Sequence, residues 1–188
     1  MILKDLHIDA SWSLFLDRDG VINKKLPGDY VKNWDEFEFL EGVTDAVARL
    51  TELFGKIFVA TNQQGIGKGI MTEMDLDKVH DQMMHEIRYA GGRIDKVYHS
   101  PYREDEKSVF RKPNVGMARK AKIDFPEIEL NKSIMVGDSR SDLEFGKNSG
   151  MVTVLISDQK KPPEDMASLA DFVFPNLQTF ADEVAKNE

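Results

Sequence analysis

The sequence contains no cysteine among its 188 residues. That absence excludes disulfide bonds and thiolate metal centres, and it is compatible with a reducing compartment. No apolar run approaches the length that crosses a membrane, and acidic residues interrupt the apolar ones at the N-terminus, unlike in a signal peptide. We therefore expect a soluble, cytoplasmic protein with no membrane partner.

The sequence also lacks an excess of positive charge. It has 25 lysine and arginine residues against 33 aspartate and glutamate residues, a net charge of -8 at pH 7. Binding to nucleic acid depends on clustered basic residues, so no nucleic-acid partner is expected. An acidic protein can still bind a small phosphorylated molecule through a local basic pocket or a metal ion. The length fits a single domain, residues 1–188, with one hydrophobic core.

Short apolar segments rich in β-branched and aromatic residues alternate with segments of helical periodicity. The predicted strands are 12–16, 57–60, 94–98, 133–136, 152–156 and 172–174. The predicted helices are 43–54, 72–90, 114–123, 141–148 and 177–185. This alternation indicates an α/β fold with a mainly parallel sheet, whose strands we expect to be covered on both faces.

Polar residues follow several of the predicted strands, where α/β proteins bind their ligands. Asp17 and Asp19 follow the first strand, Thr61 the second and Asp138 the fourth. The three aspartates repel one another at a shared sheet edge unless a cation lies among them. Oxygen ligands without thiolates favour a hard ion such as Mg²⁺.

The types of residue in this set suit phosphoryl transfer. Thr61, Arg111 and Lys112 supply donors for an anionic group. A carboxylate at a strand end can act as a nucleophile and form an acyl phosphate, and a second acid can protonate the leaving oxygen. Each motif taken singly is also typical of a turn or a helix cap. Their joint order along the chain favours an active site.

In that order, these residues resemble the four motifs of the haloacid dehalogenase (HAD) superfamily, which includes Mg²⁺-dependent phosphohydrolases. The matching positions are 17–20 for the first motif, Thr61 for the second, Lys112 for the third, and 137–138 with Asp142 for the fourth. The resemblance implies a Rossmann-like three-layer α/β/α core. It implies that Asp17 is the nucleophile and Asp19 the general acid/base. It also implies that Mg²⁺ binds Asp17, Asp138 and the backbone carbonyl of Asp19, and that Thr61 and Lys112 hold the phosphoryl group.

Longer segments around the motifs narrow the resemblance. Residues 15–23, 61–69, 111–117 and 135–138 resemble the subfamily of heptose 1,7-bisphosphate and histidinol-phosphate phosphatases. Segment 65–69 is more similar to the heptose enzymes, which implies hydrolysis of the 7-phosphate of D-glycero-D-manno-heptose 1,7-bisphosphate. We expect the protein to act as a monomer. The alternatives are histidinol phosphate and, against the net charge, a polynucleotide 3′-phosphate.

The same resemblance implies which residues contact the substrate. Arg111 contributes to substrate selection, and the loop after the first motif lines the pocket, which adds Gly28 and Tyr30. Asn62 and Gln63 of the second motif complete the predicted set. The intervals between motifs are too short for a separate cap domain, so we expect an open site.

The chain departs from the subfamily pattern at one place. Many members bind a structural zinc ion through two cysteine-containing pairs, and the corresponding positions here are Ser100 with Tyr102 and Ser108 with Phe110. Hydroxyl groups and aromatic rings do not form a closed zinc site, so no structural zinc is expected. We expect packing of Tyr102 and Phe110 to order this loop instead.

Overall fold

The computed structural model describes residues 2–159 and 161–186. Its strands are β1 (Ser13–Leu16), β2 (Lys56–Asn62), β3 (Lys96–Ser100), β4 (Ser133–Gly137), β5 (Val152–Ile156) and β6 (Phe172–Phe174). Its α-helices are α1 (Val43–Leu53), α2 (Glu73–Tyr89), α3 (Gly116–Asp124), α4 (Arg140–Asn148), α5 (Glu164–Ala167) and α6 (Leu177–Ala185). Short 3₁₀ helices occupy Leu3–Leu6, Trp34–Glu36, Glu104–Glu106 and Leu130–Lys132.

The six described strands form one parallel sheet in the order β3-β2-β1-β4-β5-β6. Side chains alternate between its faces, as the strand geometry requires. Leu14 and Leu16 pack with residues of α1, α2 and α6 on one face. Phe15 packs with residues of α3 and α4 on the other. Two helical layers thus enclose the sheet, which confirms the predicted three-layer α/β/α fold.

The edge strands differ from the prediction of full coverage. β3 begins at Lys96 rather than at position 94, and three of its five residues are partly or fully exposed. All three residues of β6 are likewise incompletely buried. The prediction was wrong for these strands because each lies at an edge of the sheet, where it has a neighbouring strand on one side only.

Helix α2 positions one buried polar residue, His80. The helix begins with a capping box, in which Thr72 Oγ1 accepts a bond of 3.1 Å from the Asp75 backbone N–H and the Asp75 carboxylate accepts one of 3.0 Å from the Thr72 N–H. Val79 and Met83 lie in the core on either side of His80. His80 therefore lies on the inward side of α2.

The connections between the motif-bearing strands are short. The chain between β1 and β2 holds a loop, the Trp34–Glu36 turn and α1, and the chain between β2 and β3 holds α2. Within the described residues neither connection forms a separate cap domain, in agreement with the prediction. None of the described helices combines the length and the apolar character needed to cross a bilayer.

Candidate active site

A cavity of about 190 Å³ lies at the carboxyl edge of the sheet. Polar side chains at or after the ends of three neighbouring strands, and others from the segment before α3, line it. The lining residues are Asp17, Asp19, Lys25, Thr61, Asn62, Arg111, Lys112, Ser139, Ser141 and Asp142. Six of them belong to the set predicted from the sequence. The strand order explains the convergence, because β1 lies between β2 and β4 and all three end at the same edge.

Lys112 is the centre of a buried charged group. Its Nζ lies 2.8 Å from Asp17 Oδ1, 2.5 Å from Asp142 Oδ1 and 2.7 Å from the Ala60 carbonyl oxygen. Burial, together with the charge on Asp142, raises the pKa of Asp17 to about 7, although Lys112 acts in the opposite direction. Burial lowers the pKa of Lys112, but Asp142 and Asp17 outweigh that effect and raise it. Lys112 therefore remains protonated and offsets part of the repulsion between the carboxylates.

Three carboxylates of this group are close enough to share a metal ion. Asp17, Asp138 and Asp142 each offer one oxygen, and the three oxygens lie within 4.8 Å of one another. Lys25 Nζ lies 2.5 Å from Asp138 Oδ2, whereas the buried Asp138 Oδ1 has no hydrogen-bond partner. Burial raises the pKa of Asp138, and Lys25 opposes that change. A set of hard, incompletely satisfied oxygens fits a cation such as Mg²⁺.

The side chain of Asp19 is not part of this cluster. Its carboxylate accepts bonds from Asn23 Nδ2 at 2.9 Å, from Gln63 Nε2 at 2.8 Å and from Arg18 Nη2 at 3.0 Å to each oxygen. Burial alone raises the pKa of Asp19, but Arg18 and these hydrogen bonds outweigh it and hold the pKa below its usual value. These bonds engage the side chain, and the predicted contact of the Asp19 backbone carbonyl with the metal stays a prediction. Asp142, which was not among the predicted metal ligands, is the third carboxylate that lies close to Asp17 and Asp138.

The second motif supports the site from within the protein. Asn62 Oδ1 accepts a bond of 3.0 Å from the Lys112 backbone N–H, and Asn62 Nδ2 donates one of 3.1 Å to the Lys112 carbonyl oxygen. Gln63, predicted to bind phosphate, is 1% exposed, and its Nε2 also donates to Thr61 Oγ1 at 2.9 Å. This buried amide holds its neighbours in place, and its contact with phosphate stays a prediction.

Gly28 and Tyr30 lie on the loop after β1, outside the lining of the 190 Å³ cavity. Gly28 is exposed and has a φ angle of 73°. The Tyr30 hydroxyl accepts a bond of 2.8 Å from Lys68 Nζ, which also lies 5.3 Å from the centre of the ring. This contact joins the loop after β1 to the loop after β2. Contact of Gly28 and Tyr30 with substrate stays a prediction.

The loop that carries zinc in related proteins is ordered differently from the prediction. Tyr102 and Phe110 are 41% and 38% exposed, so their packing does not hold the loop in place. Polar contacts do so instead: the Gly67 N–H donates to the Pro101 carbonyl at 3.0 Å, and Arg111 Nη1 donates to the Tyr102 carbonyl at 3.3 Å. The expectation was wrong because apolar composition does not reveal which side chains face solvent.

Two glycines let the motif backbones approach the carboxylates. A Cβ atom on Gly20, which has a φ angle of 96°, would lie 2.1 Å from Asp138 Oδ2. A Cβ atom on Gly137 would lie 2.1 Å from the Cβ atom of Asp142. Any side chain at either position displaces an acidic residue of the site.

Comparison with known proteins agrees with this geometry. Residues 109–180 match the HAD-hydrolase-like family model. Two curated proteins named D-glycero-alpha-D-manno-heptose-1,7-bisphosphate 7-phosphatase are similar over most of the chain. The one from Mycobacterium bovis is 36% identical over 90% of this chain and 90% of its own, and the one from Campylobacter jejuni is 37% identical over 81% and 86%. The chain belongs to the HAD-like phosphatase family. It is a phosphoric monoester hydrolase.

A solved structure extends the similarity to three dimensions. The D,D-heptose 1,7-bisphosphate phosphatase from Bordetella bronchiseptica, complexed with magnesium and phosphate, aligns with a TM-score of 0.83 and 28% identity. The alignment covers 94% of this chain and 99% of that one. The phosphatase from Burkholderia thailandensis aligns with a TM-score of 0.64 and 29% identity, over 93% and 98%.

Proposed function

We propose that this phosphatase removes the 7-phosphate of D-glycero-D-manno-heptose 1,7-bisphosphate. The observation that carries the proposal is the similarity, at 36% identity and 90% coverage, to a protein that bears this activity in its name. Similar proteins carry either the alpha or the beta form of the sugar in their names, so both anomers are candidates. We further propose that the enzyme acts as a cytoplasmic monomer with one domain.

Mg²⁺ is the proposed cofactor. Asp17, Asp138 and the backbone carbonyl of Asp19 would hold it, with Asp142 close to the same ion. When bound, the ion neutralises charge on the carboxylates and on the phosphoryl oxygens. No structural zinc is proposed, since the chain has no cysteine to bind it.

In the first proposed step, a carboxylate oxygen of Asp17 attacks the phosphorus atom. The bond between phosphorus and the sugar oxygen breaks, and an aspartyl-phosphate forms on Asp17. The carboxyl group of Asp19 donates a proton to the leaving oxygen. Arg18 favours the ionised form of Asp19, whereas a phosphate dianion bound nearby favours the protonated form, because like charges raise a carboxyl pKa. Lys112 and the Thr61 hydroxyl hold the transferring group.

In the second proposed step, Asp19 acts as a base. It takes a proton from a water molecule, whose oxygen attacks the phosphorus of the aspartyl-phosphate. The bond from phosphorus to the Asp17 oxygen breaks, which releases inorganic phosphate and restores both carboxyl groups to their starting forms. Lys112 stabilises the charge that returns to Asp17 because its Nζ contacts that side chain at 2.8 Å.

A wider groove next to the catalytic cavity supports a substrate with two phosphate groups. The groove has a volume of about 810 Å³ and shares Asn62, Arg111, Lys112 and Ser141 with the smaller cavity. Lys107 and Arg111 also line it, and neither is paired with a carboxylate within the described part of the chain. These two cations outnumber Glu104, the acidic lining residue that has no ion pair within the described residues, and they favour an anionic group at a distance from the attacked phosphorus.

Phosphate release from a substrate panel tests the proposal. The panel contains both anomers of the heptose bisphosphate, histidinol phosphate and a 3′-phosphorylated oligonucleotide. Each substrate is assayed in the presence of Mg²⁺ with the wild-type protein and with Asp17→Asn. We expect the highest kcat/KM on a heptose bisphosphate and loss of at least about 10³-fold in Asp17→Asn. An equal or higher kcat/KM on histidinol phosphate would overturn the substrate assignment. Equal inertness of both proteins on every ester would overturn the phosphatase mechanism.

A further inference from the structure

The arginine between the two predicted catalytic aspartates is fully buried. Arg18 has no exposed surface, and its Nη2 is shared between both oxygens of Asp19, at 3.0 Å each, and Gln63 Oε1, at 3.2 Å. Gln63 in turn donates to Asp19 Oδ2 at 2.8 Å. The carboxylate of Asp19 is therefore held between an arginine and an amide that also contact each other.

The other terminal nitrogen of the guanidinium contacts a residue of α2. Arg18 Nη1 lies 3.1 Å from His80 Nε2, and Arg18 Nε is buried without a partner. Among the described residues, His80 is thus the hydrogen-bond partner of Arg18 Nη1, whereas Asp19 and Gln63 contact Nη2. Burial lowers the pKa of His80 well below its usual value, and the charge on Arg18 lowers it further. A neutral ring leaves Nε2 free to accept the hydrogen bond.

The hydrogen bonds form a continuous path from the helix to the active site. It runs from His80 through Arg18 to Asp19, with Gln63 joining the last two members. His80 is 62 positions from Arg18 in the sequence and lies outside the lining of the catalytic cavity. Such a residue influences the chemistry only through the groups that it orients.

We propose that His80 is a positioning residue that fixes the Arg18 guanidinium, and through it the Asp19 carboxyl group, in the geometry needed to protonate the leaving group. The inference rests on the proposed role of Asp19 as general acid. Without the acceptor on α2, the guanidinium is held through Nη2 alone, and its geometry at the carboxyl group is less well fixed. Proton donation to the leaving oxygen then becomes less efficient, while the attack by Asp17 is preserved.

The test compares two leaving groups in wild type, His80→Leu, His80→Gln and His80→Asn. A sugar alkoxide must be protonated as it leaves, whereas p-nitrophenolate departs without a proton. The value of kcat/KM reports the first phosphoryl transfer, in which the leaving group departs. For His80→Leu we expect a loss of roughly 10-fold or more on the heptose bisphosphate and less than about 3-fold on p-nitrophenyl phosphate. His80→Gln, whose amide oxygen reaches the position of Nε2, should restore most of the activity. His80→Asn, one methylene shorter, should resemble His80→Leu.

Controls distinguish this role from a structural one. His85→Leu, an exposed position on the same helix, should behave as wild type on both substrates. Equal losses on the two esters in His80→Leu, or no rescue by His80→Gln, would overturn the proposal. If His80→Leu does not fold, His80→Gln and His80→Asn are compared on the same two esters. A loss in His80→Asn that is larger on the heptose bisphosphate supports the proposal, and equal losses on the two esters overturn it.

A second measurement separates this inference from the proposed function. If Asp17→Asn loses activity but the His80 variants show no dependence on the leaving group, the phosphatase mechanism stands and the positioning role fails. A crystal structure of His80→Asn gives a readout independent of activity. We expect Arg18 Nη2 to move beyond about 3.5 Å from at least one Asp19 oxygen, and an unchanged contact would overturn the proposal.

Discussion

The Nζ atom of Lys112 lies 2.8 Å from Oδ1 of Asp17, and both side chains are buried. The same Nζ contacts Asp142, so one lysine faces two of the three clustered carboxylates. The arrangement offsets charge on the two carboxylates and fits the proposed role of Lys112 in holding a phosphoryl group.

Replacement of Lys112 by methionine should destabilise the metal-free protein. The change leaves buried carboxylates unpaired, so we expect the free energy of unfolding to fall by about 3 kcal/mol. Urea unfolding with a chelator present measures this change in the free energy of unfolding. Lys147→Met is the control, because the pair of Lys147 with Asp171 is partly exposed and should contribute only about 0–1 kcal/mol. Equal effects of the two variants would contradict the expectation.

Replacement of Gly20 by alanine should abolish most activity. The new Cβ atom needs space that Asp138 Oδ2 occupies, and a displacement of about 1 Å can lower catalysis by roughly 10²-fold. Gly150→Ala is a matched control, since Gly150 also has a positive φ angle but has no atom within 4 Å of the added Cβ. It should lose about 1 kcal/mol of stability and keep its kcat/KM. Similar activity losses in both would show that strain, not the clash, is responsible.

Magnesium should stabilise the protein against heat. A ligand of the folded state present at about 100 times its Kd adds about 2.7 kcal/mol, and here it also relieves repulsion among Asp17, Asp138 and Asp142. Thermal unfolding with chelator and with MgCl₂ measures this difference. Asp138→Asn should greatly reduce the shift, whereas Asp165→Asn at the exposed pair with Arg140 should retain it. A full shift in Asp138→Asn would remove this residue from the metal site.

His80 should make the protein less stable as the pH falls below about 6.5. The folded state holds the ring neutral, so the unfolded state binds more protons in that range, and stability declines by up to about 1.4 kcal/mol per pH unit. Unfolding free energies of wild type and His80→Gln between about pH 6.5 and pH 5 isolate this contribution. The variant should show a shallower decline, and His85→Gln should follow the wild type. Parallel curves for wild type and His80→Gln would contradict a buried neutral histidine.

Purified protein that has not been exposed to chelator should contain no stoichiometric zinc. Residues Ser100, Tyr102, Ser108 and Phe110 replace the cysteine and histidine ligands of related proteins, and oxygen and ring atoms cannot close a tetrahedral zinc site. Elemental analysis by mass spectrometry measures the content. One zinc ion per chain would show that other ligands hold the metal.

Much of the fold follows from local pattern. The predicted strands at 133–136 and 152–156 agree with β4 and β5 within one residue, because buried parallel strands appear as short apolar runs. The α5 helix was not predicted, since Glu164–Ala167 is too short to show a periodicity. Coverage of β3 was mispredicted because strand order, rather than local sequence, determines which strands lie at the edges.

The site was predictable in its members but not in its side-chain contacts. The order of the motifs along the chain placed Asp17 and Lys112 in one site, although it did not predict their direct contact. The sequence did not indicate that Gln63 is turned inward or that Asp142 faces Asp17, because such orientations depend on packing between distant segments. The sequence did not indicate a role for His80 either. Its spacing of five positions from His85 shows only that the two histidines do not lie side by side on a helix to share a metal ion.

The contact between Asp17 and Lys112 joins positions 95 residues apart. During synthesis, a chain that has not yet emerged as far as Lys112 carries the nucleophile without the cation that neutralises it. Pairings over such a distance form only after much of the chain entropy has been lost, so they come late in refolding. We therefore expect activity to return only after Lys112 has joined Asp17, and an N-terminal fragment that ends at β3 to lack catalytic function.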